Sequence, residues 1–170
     1  MYRWCERLAA WLAIAGGLIL CAIALMTVAS VTGRAFVWAG LGPIPGDFEL
    51  VELGVAVAVF FFLPWCHLRD GHATVDLLYT RLPVLVQRRL VLVSEWLMLA
   101  VWVLLTWRLG HGLADKFGDR ETTFILQLPV WWAYALCFAA AVLGCLVYLA
   151  KALHETRGGA VVMTTGGGQA

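Results

Sequence analysis

The chain has 170 residues, is 62% apolar and only 14% charged, and carries a formal net charge of +1 with nine tryptophans. Soluble domains carry about 25% charged residues, so this composition cannot cover a water-facing surface and excludes a soluble enzyme. No basic stripe interleaved with aromatics exists, which excludes nucleic acid as a partner.

What remains is an all-α membrane protein, since a span needs roughly 20 apolar residues at about 1.5 Å rise each. Residues 1–154 read as one four-helix transmembrane domain, followed by a Gly-rich tail at 155–170 expected to be disordered. The first span is expected at 8–32. Its apolar run is far longer than the roughly 7 to 15 residues of a signal-peptide core, so it reads as an uncleaved helix. Gly40, Gly42, Pro43, Pro45 and Gly46 then form a turn. The second span, 47–67, opens on Asp47 as N-cap, with Glu49 and Glu52 near the positive end of the helix dipole.

Residues 69–89 form a polar connection in which Val75, Leu77, Leu78, Leu82, Val84 and Leu85 alternate with polar side chains. The pattern predicts a short amphipathic element in the membrane interface. The third span is expected at 90–110, with Glu95 inside it, and His111 to Glu121 is a second polar connection. An apolar lead-in from Phe124 to Leu128 precedes the fourth span, 129–150. Small residues at Gly16-Gly17 and from Ala139 to Gly144 predict close helix packing.

Orientation follows from Lys and Arg. Arg3, Arg7, Arg69, Arg81, Arg88, Arg89, Lys151 and Arg157 fall on one side, and Arg34, Arg108, Lys116 and Arg120 on the other. The richer side faces the cytoplasm, with both ends inside. Tryptophans agree: Trp4, Trp11, Trp65 and Trp96 fall near inner ends, and Trp38, Trp107, Trp131 and Trp132 near outer ends. Trp102 alone sits mid-span.

Few residues here offer chemistry. Glu95 reads either as an ion or proton site or as a structural carboxylate that faces a partner or pairs with an Arg. A charge at a span's centre costs about 2.5–3.5 kcal/mol, but Glu95 is expected only roughly 8 Å below the inner end, where the cost is less and the side chain can snorkel. A lone carboxylate without a second acid or an Asn/Ser cluster is a poor coupling site, which favours structure. Glu49 and Glu52 share one helix face and are expected to pair with Arg34 or a partner. His67 and His154 are the one pair that could approach a haem near the inner surface. The five cysteines lack metal-ligand spacing and read as buried thiols.

The run Ile44-Pro-Gly-Asp-Phe-Glu-Leu-Val-Glu-Leu53, an apolar helix, and then Arg69-Asp-Gly-His-Ala-Thr-Val-Asp76 together resemble the DctQ-type small membrane subunit of tripartite ATP-independent periplasmic (TRAP) transporters. Arg34 after the first helix, Glu49 opening the second, Gly71-His72-Ala73-Thr74-Val75-Asp76 after it, Leu82-Pro83, and Thr122 to Trp131 before the last span carry the resemblance. It covers roughly residues 8–150.

The resemblance implies a non-catalytic subunit in the bacterial inner membrane that scaffolds a large membrane subunit. That partner would take up an organic acid delivered by a periplasmic binding protein, and Na+ would bind in it. No cofactor is expected in this chain. Arg34, Glu49, Glu52, Arg69, Gly71, His72, Asp76, Arg88 and Glu95 are the partner-facing or structural residues so implied, with Asp76 capping the interfacial element. Two alternatives stand beside it: a small proton-coupled exporter dimerising around Glu95, and a haem-binding anchor of a redox complex.

Overall fold

The computed structural model describes residues 2–69 and 83–156. Four helices account for nearly all of them: α1 (Tyr2–Ala35), α2 (Asp47–Leu68), α3 (Val84–Asp119) and α4 (Trp131–His154). Each is long and apolar enough to cross a membrane. Among the described residues there is no strand, only an isolated bridge between Thr122 and Pro129. Helices are the form such sequences take in hydrocarbon, because every backbone N–H and C=O is then satisfied within its own segment.

The helix ends follow local chemistry. After α1 a single 3-10 turn, Val37–Ala39, stops at Gly40 with φ +83, a left-handed conformation suited to glycine. Pro43 and Pro45 lack amide hydrogens to continue a helix, and a turn at Pro45 and Gly46, with the Asp47 amide donating to the Ile44 carbonyl at 3.4 Å, leads into α2. The expected N-cap at Asp47 is corrected here: Gly46, at φ +74, occupies the cap, and Asp47 is the first helical residue. A Cβ at Gly46 would run into the Leu126 side chain, so space and backbone angle both demand glycine.

The third helix is longer than the expected 90–110. It begins directly after Pro83 and runs to Asp119, ending at Arg120 with φ +50. Nothing in the flanking polar stretches breaks a helix, so hydrogen bonding continues past the apolar segment, and what reads as a connection at His111 to Asp119 is helical. Val84 and Leu85 therefore belong to α3, while the rest of the expected interfacial element, at 70–82, lies outside the described residues. The expected tail beyond Thr156 lies outside them too.

The helices form a row. α1 lies along α2, α2 against α4, and α4 against α3, with a lesser contact of α1 on α4. Tyr2 and His154 therefore lie at one end of the bundle. Gly16 of α1 approaches Ala58 and Phe61 of α2, and Gly54 of α2 leaves room for Ile19 and Ile23 of α1. The centre of the α3–α4 seam is Trp102. Its indole is buried and donates from Nε1 to the Ala141 carbonyl at 2.9 Å, which explains a tryptophan far from either interface. It stacks on Tyr148 with centroids 4.8 Å apart. Cys137 is buried as expected of a structural thiol, whereas Cys21 is exposed on α1.

Gly144 exists to admit that indole, since a Cβ there would lie 2.7 Å from it. Gly144→Val is expected to destabilise the bundle by about 1–3 kcal/mol through overpacking, read as a lower thermal midpoint in detergent. Gly17, with open space around it, provides the control: Gly17→Ala is expected not to lower that midpoint.

Candidate functional site

Polar side chains gather at the two ends of the bundle. At the end that carries Tyr2 and His154, three helices each contribute one ionisable group. The Glu95 carboxylate of α3 lies 3.0 Å through Oε2 from His67 Nε2 of α2, and 3.0 Å through Oε1 from Lys151 Nζ of α4. Lys151 also donates to the His67 backbone carbonyl at 2.7 Å. All three residues are buried.

Aromatic stacking fixes the histidine. Its ring lies flat on Tyr148, 3.8 Å between centroids and 2° between planes, and Tyr148 passes the stack on to Trp102. His67 sits in the last turn of α2, where carbonyls have no partner further along the helix. A lysine there satisfies one of them and complements the negative end of the dipole.

Where the sequence suggested a partner-facing carboxylate or one paired with an arginine, Glu95 among the described residues is buried and pairs with His67 and Lys151. It stands eleven residues after Val84, roughly 16 Å into α3, yet level with the last turns of α2 and α4. The start of α3 consequently projects past this charged layer. Lys151 was legible in sequence only as an inner-side positive charge. Nothing in a linear pattern signals a partner 84 positions away.

The opposite end is built from hydrogen bonds to backbone. Ser30, buried in α1, donates to Asp47 Oδ2 at 2.5 Å and accepts the Ile44 amide at 3.2 Å. Asp47 Oδ1 accepts the Phe48 amide at 2.8 Å. Arg34 lies 3.5 Å from Asp47. The expected pairing of Arg34 with Glu49 or Glu52 is therefore replaced by one with Asp47, which stands nearer the α1–α2 turn.

Glu49 has a different task. Its two oxygens accept the amides of Ile125 and Leu126, at 2.7 and 3.0 Å, from the turn between α3 and α4. It thereby ties the start of α2 to a segment 76 residues away. Glu52 is exposed one turn on. Lys116 pairs with Glu121 at the base of the same turn.

The remaining expected residues scatter. Arg69 is exposed, 3.6 Å from Glu6 of α1, with its guanidinium 4.6 Å above the Trp65 ring. Arg88 falls within α3, but its side chain lies outside the described residues, as do Gly71, His72 and Asp76. Among the described residues no group of three His, Cys, Asp or Glu could hold a metal. His154 is exposed at the end of α4, while the His67 ring lies against Glu95 and Tyr148.

The family model described as "Tripartite ATP-independent periplasmic transporters, DctQ component" matches residues 23–158, from the middle of α1 to beyond α4. No curated protein and no solved structure matches the chain.

Removing one member of a buried ion network strands the others, at a cost of about 3–5 kcal/mol. Lys151→Met is expected to lower thermal stability by that order, and Glu95→Leu with Lys151→Met to recover most of it, in a double-mutant cycle on the purified chain. At the other end, Glu49→Ala is expected to accelerate hydrogen exchange at Ile125 and Leu126 selectively while the core of the helices stays protected.

Proposed function

The chain belongs to the DctQ component family of TRAP transporters, and on that premise we propose that it acts as a scaffold for the large membrane subunit. It is a multi-pass membrane protein and a transporter component. The assembly imports an organic acid, delivered by a periplasmic binding protein and driven by an ion gradient, across the bacterial inner membrane. Both ends of this chain lie in the cytoplasm, so the Glu95 layer faces inward and the Glu49 turn faces the periplasm. The coupling ions, Na+ in this reading, bind in the large subunit, and this chain carries no cofactor and no catalytic step.

The observation that carries the proposal is how Glu95 is used. It is the only acidic residue among the described ones that is buried as a whole, and each of its oxygens lies 3.0 Å from a basic side chain of the same chain. A coupling carboxylate must exchange its proton or ion with a solute pathway. Glu95 instead closes a joint between three helices. The outward faces support the same reading: Leu18, Leu25 and Val28 of α1 and Val93, Leu97 and Leu104 of α3 are exposed. Such faces suit lipid or another membrane protein. An exporter dimerising around Glu95 needs that carboxylate on a surface shared with a second copy, and here it points into its own bundle.

Mild extraction of the tagged chain from its native membrane should bring down a large polytopic partner. A homodimer with no such partner would overturn the proposal. In the reconstituted assembly, Glu95→Gln should reduce the amount of intact complex and leave the Na+ dependence of uptake per complex unchanged. A shifted Na+ dependence would place Glu95 in the coupling machinery and sink the scaffold reading.

A further inference from the structure

The turn joining α3 to α4 is apolar at its tip, and it is held at the level where a span begins. Phe124 is 95% exposed and Ile125 61%. Glu49, which accepts the Ile125 and Leu126 amides, belongs to the first turn of α2. Its neighbour Phe48 is 83% exposed. The tip therefore stands beside the start of a transmembrane helix. From Thr122 through Trp132 the chain carries no charge of its own; Arg120 and Glu121 precede it in sequence, and the one carboxylate bonded to its backbone is Glu49.

The backbone of this turn is closed on itself. The Thr123 amide donates to the Leu128 carbonyl at 2.9 Å and the Val130 amide to the Glu121 carbonyl at 3.0 Å. The Leu128 amide donates to Thr123 Oγ1 at 3.1 Å, and Gln127 Nε2 donates to the Phe124 carbonyl at 3.1 Å. Pro129 has no amide hydrogen to satisfy. With the two bonds to Glu49, the amides of Thr123, Ile125, Leu126, Leu128 and Val130 are all met from within the chain. Water would hydrate a surface loop without this provision, whereas a low-dielectric setting requires it.

We propose that the Phe124–Ile125 tip is a membrane-inserted wedge, seated at the boundary between lipid headgroups and acyl chains, with Glu49 as its positioning residue. The lipid surface is its partner because the tip continues the outward apolar faces of the spans. Phe48 adjoins it, and the exposed rings of Trp38 and Trp132 lie at the same end of the bundle, the level at which indoles prefer to sit. The inference rests on the chain crossing a membrane and is independent of the transporter-subunit scaffold role.

The test uses the full chain in vesicles of phosphatidylethanolamine and phosphatidylglycerol. Spin labels are placed at Phe124→Cys and Ile125→Cys after the five native cysteines are replaced by alanine. Collision with oxygen reports lipid, and collision with a water-soluble nickel chelate reports solvent. Both labels should show a severalfold excess of oxygen over nickel collisions, and adding Glu49→Ala should reduce that excess. Free access of nickel to both labels in the otherwise unaltered turn would overturn the proposal.

Repeating the measurement with the co-purified large subunit separates lipid from protein. Loss of both kinds of collision there would show a protein-covered tip and reject the wedge. Hydroxyl-radical footprinting of the unsubstituted chain in nanodiscs provides a check that needs no variant. Phe124 should remain unmodified, and modification at the rate of a water-facing phenylalanine would count against insertion.

Discussion

Three helices of this bundle meet at one carboxylate. Apolar contact between membrane helices has little driving force where the surrounding lipid is equally apolar, so a buried Glu95 shared by His67 and Lys151 gives α2, α3 and α4 a reason to hold one register. Each group alone would be costly to bury. Together they bring opposite charges within 3.0 Å of one another, and the His67 ring lies flat on Tyr148. The stack then carries this constraint up the seam to Trp102, whose position in turn requires a glycine at 144. Much of the α3–α4 interface follows from that one ion network.

The two ends of the bundle solve the burial of polar groups differently. At the Glu95 end, side chains satisfy side chains across helices. At the other, Ser30, Asp47 and Glu49 satisfy backbone amides of turns. The latter arrangement fixes how short loops fold back onto the helix ends. It leaves the outward surfaces of the spans apolar, available to lipid and to a larger membrane partner. This division of labour fits the scaffold role proposed above: an interior joint, loops tied to helix ends, and broad apolar faces.

The assignment of Glu95 shows how position and role can part company. An acid inside an apolar helix invites a coupling site, because burying it is expensive without a purpose. Here the purpose is internal pairing. Its neighbours lie 28 positions before it and 56 after, on helices that no periodicity can bring together. The same holds for Glu49: its place in the first turn of α2 suggested an ion pair with Arg34, but that arginine lies beside Asp47 and Glu49 holds a remote turn instead.

Sequence by itself determined the class of the molecule. Composition and the length of apolar runs required four helices, and glycines and prolines marked the turn before α2. These properties are local or additive: transfer of apolar area to hydrocarbon and satisfaction of backbone bonds within a helix depend on nearby residues alone. The resemblance drawn from residues between Arg34 and Trp131 was also legible, and the matched family model covers residues 23–158. Tertiary structure alone decided that Lys151 and His67 close on Glu95, that Glu49 grips the α3–α4 turn, that Gly46 displaces Asp47 as the cap, and that α3 runs on to Asp119. Those outcomes depend on which faces of distant helices meet. Directional hydrogen bonds between distant residues are set by the packing of the whole bundle, and local spacing along the chain carries no record of it.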